Sequence, residues 1–187
     1  GNDKMEVTDT DIYKSDQAFT QGQMITVTGI DNLNEWWIDP DFFEKQSDGA
    51  LKFLPINGDY RVTANAVLKY FSVMALKDGK PAKLQDDGTG AIWAIGKGIG
   101  KPSVTSSEVG WEPSKALCLA QVASKKYQLT LKAGETLKTS GDPEVISFKF
   151  FHQNDWGGEF GNYASSILVE QLKLADSGNL EMQDNKA

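Results

Sequence analysis

Hydrophobic positions in this chain recur every second residue over short runs, and Gly, Pro, Asn or Asp interrupts those runs at intervals of about 8–12 residues. The alternation predicts strands over 24–28, 50–54, 60–64, 70–76, 91–95, 116–122 and 127–131. A further strand opens at Ser147, with Phe148, Phe150 and His152 on one face and Lys149, Phe151 and Gln153 on the other. No segment sustains a 3.6-residue period, although 39–45 and 64–68 each offer one helical turn. The fold expected is all-β: an immunoglobulin-like β-sandwich in two tandem units.

Residues 1–20 are polar and acidic, with Asp3, Glu6, Asp9, Asp11 and Asp16, and predict a tether or a loosely attached lead segment. Residues 21–85 then read as a first sandwich unit, complete or partial, and 86–187 as a second. The boundary falls at Asp86-Asp87-Gly88-Thr89-Gly90, too polar and Gly-rich for a core and expected to be an exposed turn or linker. Asn57-Gly58 predicts a tight hairpin joining strands 50–54 and 60–64. Gly29 to Tyr60 and Gly96 to Tyr127 are both 31 residues apart, within a recurring order of strand, Gly, Trp, Pro, strand and Tyr-bearing strand. That echo predicts two related β units, or two similar hairpins in one sandwich.

Composition narrows the function classes. With 187 residues, 40% hydrophobic and 10% aromatic, the chain can bury a real core. A formal net charge of −7 and a single arginine, Arg61, argue against binding nucleic acid or an anionic membrane surface. No apolar run reaches the roughly 18 residues of a membrane span. The lone cysteine, Cys118, sits in the apolar run Ala116-Leu117-Cys118-Leu119-Ala120, where a thiol behaves as a small buried hydrophobe and no internal disulfide can form. The opening Gly1-Asn2-Asp3-Lys4 has no initiator Met, as in a processed or truncated start.

Catalytic patterns are weak. Gly96-Lys97-Gly98-Ile99-Gly100-Lys101 lacks the spacing of either nucleotide-binding fingerprint and no helix pattern follows it, so it reads as a flexible loop on a binding rim. His152, the only histidine, has no nucleophile-elbow motif to serve. Asp155 and Glu159, with Glu108 or Glu112, are the carboxylates from which a glycosidase pair could be drawn. Asp86-Asp87 and Asp9-x-Asp11 fit no calcium loop and read as solvated turns. No metal and no cofactor is expected, and the chain is not expected to be an enzyme.

Tryptophans are more informative. Trp93 lies within a strand pattern and is expected in the core, whereas Trp36, Trp37, Trp111 and Trp156 fall in loops among Asn, Asp, Ser, Gly and Pro. Trp156 follows Gln153-Asn154-Asp155 and precedes Gly157-Gly158, which joins an aromatic ring to short hydrogen-bonding groups. A sugar stacks its C–H face on such a ring while amides, carboxylates and amines reach its hydroxyls. The plain alternative is that Trp156 closes the core and the glycines only shape a turn.

The series Ile92-Trp93-Ala94-Ile95-Gly96, Gly110-Trp111, Phe148-Lys149-Phe150, Asn154-Asp155-Trp156-Gly157, Gly161 and Gly178-Asn179-Leu180 resembles the repeating modules of SusE/SusF-like surface glycan-binding lipoproteins of Bacteroidetes. It covers about 88–182, and 49–65 resembles the closing hairpin of a preceding module. The resemblance implies non-catalytic binding of an oligosaccharide or polysaccharide at the outer membrane, facing the cell surface or periplasm. It also implies a lipid anchor on a cysteine absent from this chain and an outer-membrane glycan importer as partner. The long Ser-rich stretch 97–112 departs from the family pattern, and Ala187 precedes any Tyr-bearing partner for 179–182, as though the last module were unfinished. The candidate ligand-binding residues are Trp111, Trp156, Lys149, Asn154, Asp155 and Trp36. A structural or protein-interaction module is the second reading, and a glycoside hydrolase the third.

Overall fold

The computed structural model describes residues 4–139, 146–159, 172–174 and 180–182. Gly161, Gly178 and Asn179 of the motif series lie outside the described residues. The chain runs through β1 (Glu6–Asp9), β2 (Ile12–Phe19), β3 (Met24–Ile25), β4 (Phe43–Lys45), β5 (Leu51–Phe53), β6 (Gly58–Asn65), β7 (Tyr70–Lys77) and β8 (Lys80–Pro81). It continues through β9 (Trp93–Gly100), the single-turn α1 (Val104–Ser107), β10 (Glu108–Gly110), β11 (Leu117–Cys118), β12 (Ala120–Ala123), β13 (Lys126–Gln128), β14 (Ser147–Phe151), β15 (Leu172–Leu174) and β16 (Leu180–Met182). The protein is all-β, and these strands pair antiparallel. It divides into two compact units, Gly1–Ala91 with Leu119–Thr130, and Ile92–Cys118 with Leu131–Ala187.

In the first unit a five-stranded sheet, β1-β2-β6-β7-β8, and a three-stranded sheet, β3-β5-β4, share one core. Alternation supplies the inward face: Tyr60, Val62 and Ala64 on β6 sit opposite Ala75, Val73 and Phe71 on β7. The core is aromatic. Phe19 stacks on Phe53 at 4.7 Å, Tyr60 meets Phe53 edge-on at 4.9 Å, and Trp36 lies 4.8 Å from Phe71. Trp36 is only 9% exposed, so it is a core residue and not a ligand-binding one. Its loop folds inward because ring burial outweighs the polarity of its neighbours.

Three further expectations change. Of the tether or loosely attached lead segment expected over 1–20, the described part forms strands β1 and β2, and β2 is not loosely attached, because it pairs with β6 from Ile12↔Asn65 to Phe19↔Gly58. Its alternation is masked in the sequence because Ser15 and Gln17 share the inward register with Phe19. The acidic Asp16 lies directly across from Arg61 and forms a two-pronged ion pair with it, at 2.7 and 2.9 Å. Second, Asn57-Gly58 makes no hairpin: β5 pairs with β3 and β4, β6 pairs with β2 and β7, and Gly58 does not adopt positive φ. The segment crosses between sheets, with Asn57 Oδ1 accepting from the Gln21 N–H at 2.8 Å and the Tyr60 hydroxyl donating to the Ile56 carbonyl at 2.7 Å.

Third, the boundary at 86 does not separate the units cleanly, because the β12–β13 hairpin returns to the first unit. Ala120 is buried in its core, the Ile56 N–H donates to the Gln121 carbonyl at 2.8 Å, and the Gln21 side chain donates to the Val122 carbonyl at 2.8 Å. Tyr127 donates its hydroxyl to the Gly88 carbonyl at 2.8 Å. Tyr60 and Tyr127 therefore belong to one unit, and the 31-residue echo does not mark two equivalent positions. Asp86 and Asp87 are exposed as expected, in a turn where Thr89 donates to Asp87 through its N–H and hydroxyl and holds that carboxyl below its usual range.

Fully buried Asp41 secures the end of the hairpin, accepting from the Thr130 N–H at 2.8 Å and from its hydroxyl at 2.7 Å. Asp41→Ala should cost about 1–3 kcal/mol in denaturant unfolding, because a part-buried N–H loses its acceptor. Protease should then cut the 119–130 segment sooner. A change within ~0.5 kcal/mol, the range of an ordinary surface substitution, would show that the anchor contributes nothing.

Arg61 holds the Asp16 carboxyl below its usual value through their hydrogen bond. A folded value lower than the unfolded one means the stabilisation is present above the unfolded Asp pKa of about 3.9 and is lost as pH falls through the lowered folded value. Because Asp16 is 40% exposed, the pair is worth only about 0.2–1 kcal/mol. Asp16→Asn should remove that acid-dependent component from a stability-versus-pH curve and leave the curve near pH 7 lower by the same amount.

Candidate functional site

The second unit is organised around β9, which pairs with β10 and β11 on one side and with β14 on the other. Of the Gly96–Lys101 stretch expected as a flexible rim loop, Gly96 to Gly100 form the second half of this strand, and all but Lys97 of Trp93–Gly100 is buried. Gly96 has φ 148°, and a Cβ there would meet Phe148 Cα and the Ser147 carbonyl at 2.3 Å, so only glycine lets β14 approach. A Cβ on Gly100 would meet the Ser107 carbonyl at 2.3 Å. The Ser-rich stretch 97–112 is accordingly ordered: Ser103 caps α1 by accepting from the Ser106 N–H, and β10 follows.

β9 also sets where the two loop tryptophans stand. Gly110 on β10 pairs with Gly96, and Trp111 follows it directly. On the other side Phe151, the last residue of β14, pairs with Trp93, and the loop to Trp156 begins next. That loop closes through a bridge between Phe151 and Glu159 and a 2.7 Å bond from the His152 N–H to the Gly158 carbonyl. Gly157 and Gly158 take left-handed conformations, φ 88° and 64°, which reverse the chain. Asp155 Oδ1 accepts from the Trp156 N–H at 2.7 Å, and the Gln153 side chain donates to the Trp156 carbonyl.

These loops bring Trp111 and Trp156 together, with ring centroids 6.1 Å apart and planes inclined at 30°. They are 39% and 46% exposed. Trp156 also meets the buried Phe151 ring at 5.8 Å and 69°, which backs it from the core. A sugar clamped between two rings needs about 7–8 Å, twice the best carbon–carbon separation. At 6.1 Å the pair admits no clamp, so a ligand would lie across its outer surface.

Polar groups lie on the segments that carry the rings. Lys149, one pleat from Phe151 on β14, holds Glu159 at 3.2 Å. Asn154 is half-buried in the Trp156 loop and Asp155 is exposed. Next to Trp111, Glu112 pairs with Lys115 at 3.5 Å. Glu108 accepts from the Gly98 N–H at 2.9 Å and fills an irregularity in the β9–β10 register. The four carboxylates considered for a glycosidase pair thus all have structural partners, and among the described residues no three His, Cys, Asp or Glu side chains gather to hold a metal.

Of the six candidates, five lie in the second unit, with Trp111 and Trp156 in ring contact; Trp36 belongs to the core of the first. Trp93 and Cys118 are buried as expected, and Trp37 is half-buried 6.3 Å from Tyr70. Gln153 and Glu159 were missed as supports of Trp156 and Lys149. Their only sequence signal is their position on either side of a Gly-Gly reversal.

The exposed and buried tryptophans should separate in mutagenesis. Trp36→Ala should cost about 3–5 kcal/mol in denaturant unfolding, the usual price of an emptied aromatic core site. Trp111→Ala should stay within about 1 kcal/mol and, like Trp156→Ala, abolish the exciton couplet that two indoles at this separation give in circular dichroism. A couplet that survives either change would contradict the pairing.

Residues 1–84 match the family model described as Domain of unknown function (DUF5125). The seam between the two family matches falls at the exposed turn, although 119–130 packs in the first unit. No curated protein and no solved structure matches the chain. Residues 87–187, more than half the chain, match the family model described as Domain of unknown function (DUF5121), and the chain belongs to that family.

Proposed function

We propose that this protein binds glycans without cleaving them, stacking sugar rings on Trp111 and Trp156. The observation that carries the proposal is the exposure of both indoles side by side, 6.1 Å apart, on an ordered strand framework. Two large aromatics exposed in contact form a contiguous apolar patch, which marks an interaction surface more often than a lone exposed ring does, and the Trp156 loop is fixed by bonds from Gln153 and to Asp155. Lys149, Asn154 and Asp155 supply donors and acceptors for sugar hydroxyls, with Glu159 accepting beside Lys149. Such a shallow surface buries little area, so single-site affinity is weak and gains from several sites acting on one chain.

The motif resemblance to SusE/SusF modules supports the same reading and adds a setting: a lipid-anchored outer-membrane protein that presents polysaccharide to an importer. Among the described residues no helix is long and apolar enough to cross a membrane.

Trp156→Ala and Trp111→Ala should each weaken binding to neutral polysaccharides by roughly fivefold, from about 1 kcal/mol per aromatic contact, with folding retained. Calorimetry or affinity electrophoresis would measure it. Starch-like, xylan-like and mucin-like glycans should yield no new reducing ends on incubation. Release of reducing ends that disappears in Glu159→Gln or Asp155→Asn would overturn the non-catalytic reading, and unchanged binding in both tryptophan variants would overturn the site.

A further inference from the structure

We propose that the Trp111–Trp156 surface selects uncharged glycans and rejects chains bearing uronate or sulfate groups. The proposal rests on the glycan-binding reading and adds the charge class of the ligand. Recognition of a carboxylate or sulfate calls for a cation free to form charge-assisted hydrogen bonds, ideally a guanidinium fork. The one arginine of the chain, Arg61, is already engaged through both prongs by Asp16. Lys149, two residues before Phe151 on β14, is only 17% exposed and pairs with Glu159 at 3.2 Å, and Lys115, four residues after Trp111, pairs with Glu112 at 3.5 Å.

Among the described residues, carboxylates occur on the segments that carry both indoles. Glu112 adjoins Trp111 in the chain, Asp155 adjoins Trp156 and accepts its N–H, and Glu159 bridges to Phe151, on which Trp156 rests. An anionic sugar on the rings would therefore approach segments that carry carboxylates, and must break an existing ion pair to be held by Lys149 or Lys115. A neutral sugar has no such cost, because each hydroxyl can both donate to a carboxylate and accept from an ammonium. The formal net charge of −7 adds a repulsion against any polyanion that salt screens.

The test uses the full chain against amylopectin, arabinoxylan and galactomannan as neutral probes and polygalacturonate and chondroitin sulfate as anionic ones, at low and physiological salt. The wild type should bind at least one neutral probe, with loss in Trp156→Ala, and neither polyanion. The double variant Glu112→Gln/Glu159→Gln, which frees both lysines, should raise polygalacturonate binding at least about fivefold, the effect of one unit charge at contact distance in water. Wild-type binding of a polyanion that depends on Trp156 would overturn the proposal while leaving the glycan site standing. So would a double variant that gains nothing. Failure to bind any probe would overturn the glycan-binding reading and this inference with it.

Discussion

The close approach of β9 and β14 at Gly96 is the constraint on which the second unit turns. A strand that must admit a neighbouring backbone within 2.3 Å of where a Cβ would stand can carry only glycine there. The same residue pairs with Gly110 on its other edge, so one position registers both β10 and β14. β10 is followed directly by the exposed Trp111, and β14 by the loop that carries the exposed Trp156. Ladder hydrogen bonds hold the strand ends from which both loops spring to a defined spacing. The ring pair owes its geometry to a glycine with no side chain of its own.

A second kind of economy is visible in the first unit. Its two sheets are joined by an aromatic core, yet part of its cover comes from the later segment 119–130, tied down by Asp41, Gln21 and Gly88. Buried carboxylates persist only where donors satisfy them, and Asp41 takes both the backbone and the hydroxyl of Thr130. The covalent order of the chain and the order of its packing therefore differ. The family match from 87 onward includes strands that complete the unit before it.

The proposed recognition surface at the ring pair combines partnered carboxylates with exposed aromatic rings. Its carboxylates are occupied by a lysine, a backbone N–H or both sides of a turn, and its aromatic faces are open. Under the glycan-binding proposal, weak stacking contacts of about 1 kcal/mol each would give broad tolerance of sugar type. Under the proposed reading, discrimination falls to charge, where both lysines are already paired with carboxylates.

The all-β class, the core placement of Trp93 and Cys118 and the pairing of Trp111 with Trp156 as candidates followed from residue alternation and from aromatic residues among turn formers. Alternation is a local property, and a strand with one covered face must display it. Where inward positions were polar, as at Ser15 and Gln17 on β2, the signal vanished although the strand is complete. Trp36 and Trp156 both sit in polar loops, and only the packing around them separates a core ring from an exposed one. The glycines of β9 look like a flexible loop in one dimension, and their meaning depends on a strand some fifty residues away in the chain. The return of 119–130 to the first unit likewise has no local cause: it depends on a carboxylate 89 residues earlier finding Thr130. Local patterning chose the secondary structure, and contacts between distant segments decided which surfaces were left for function.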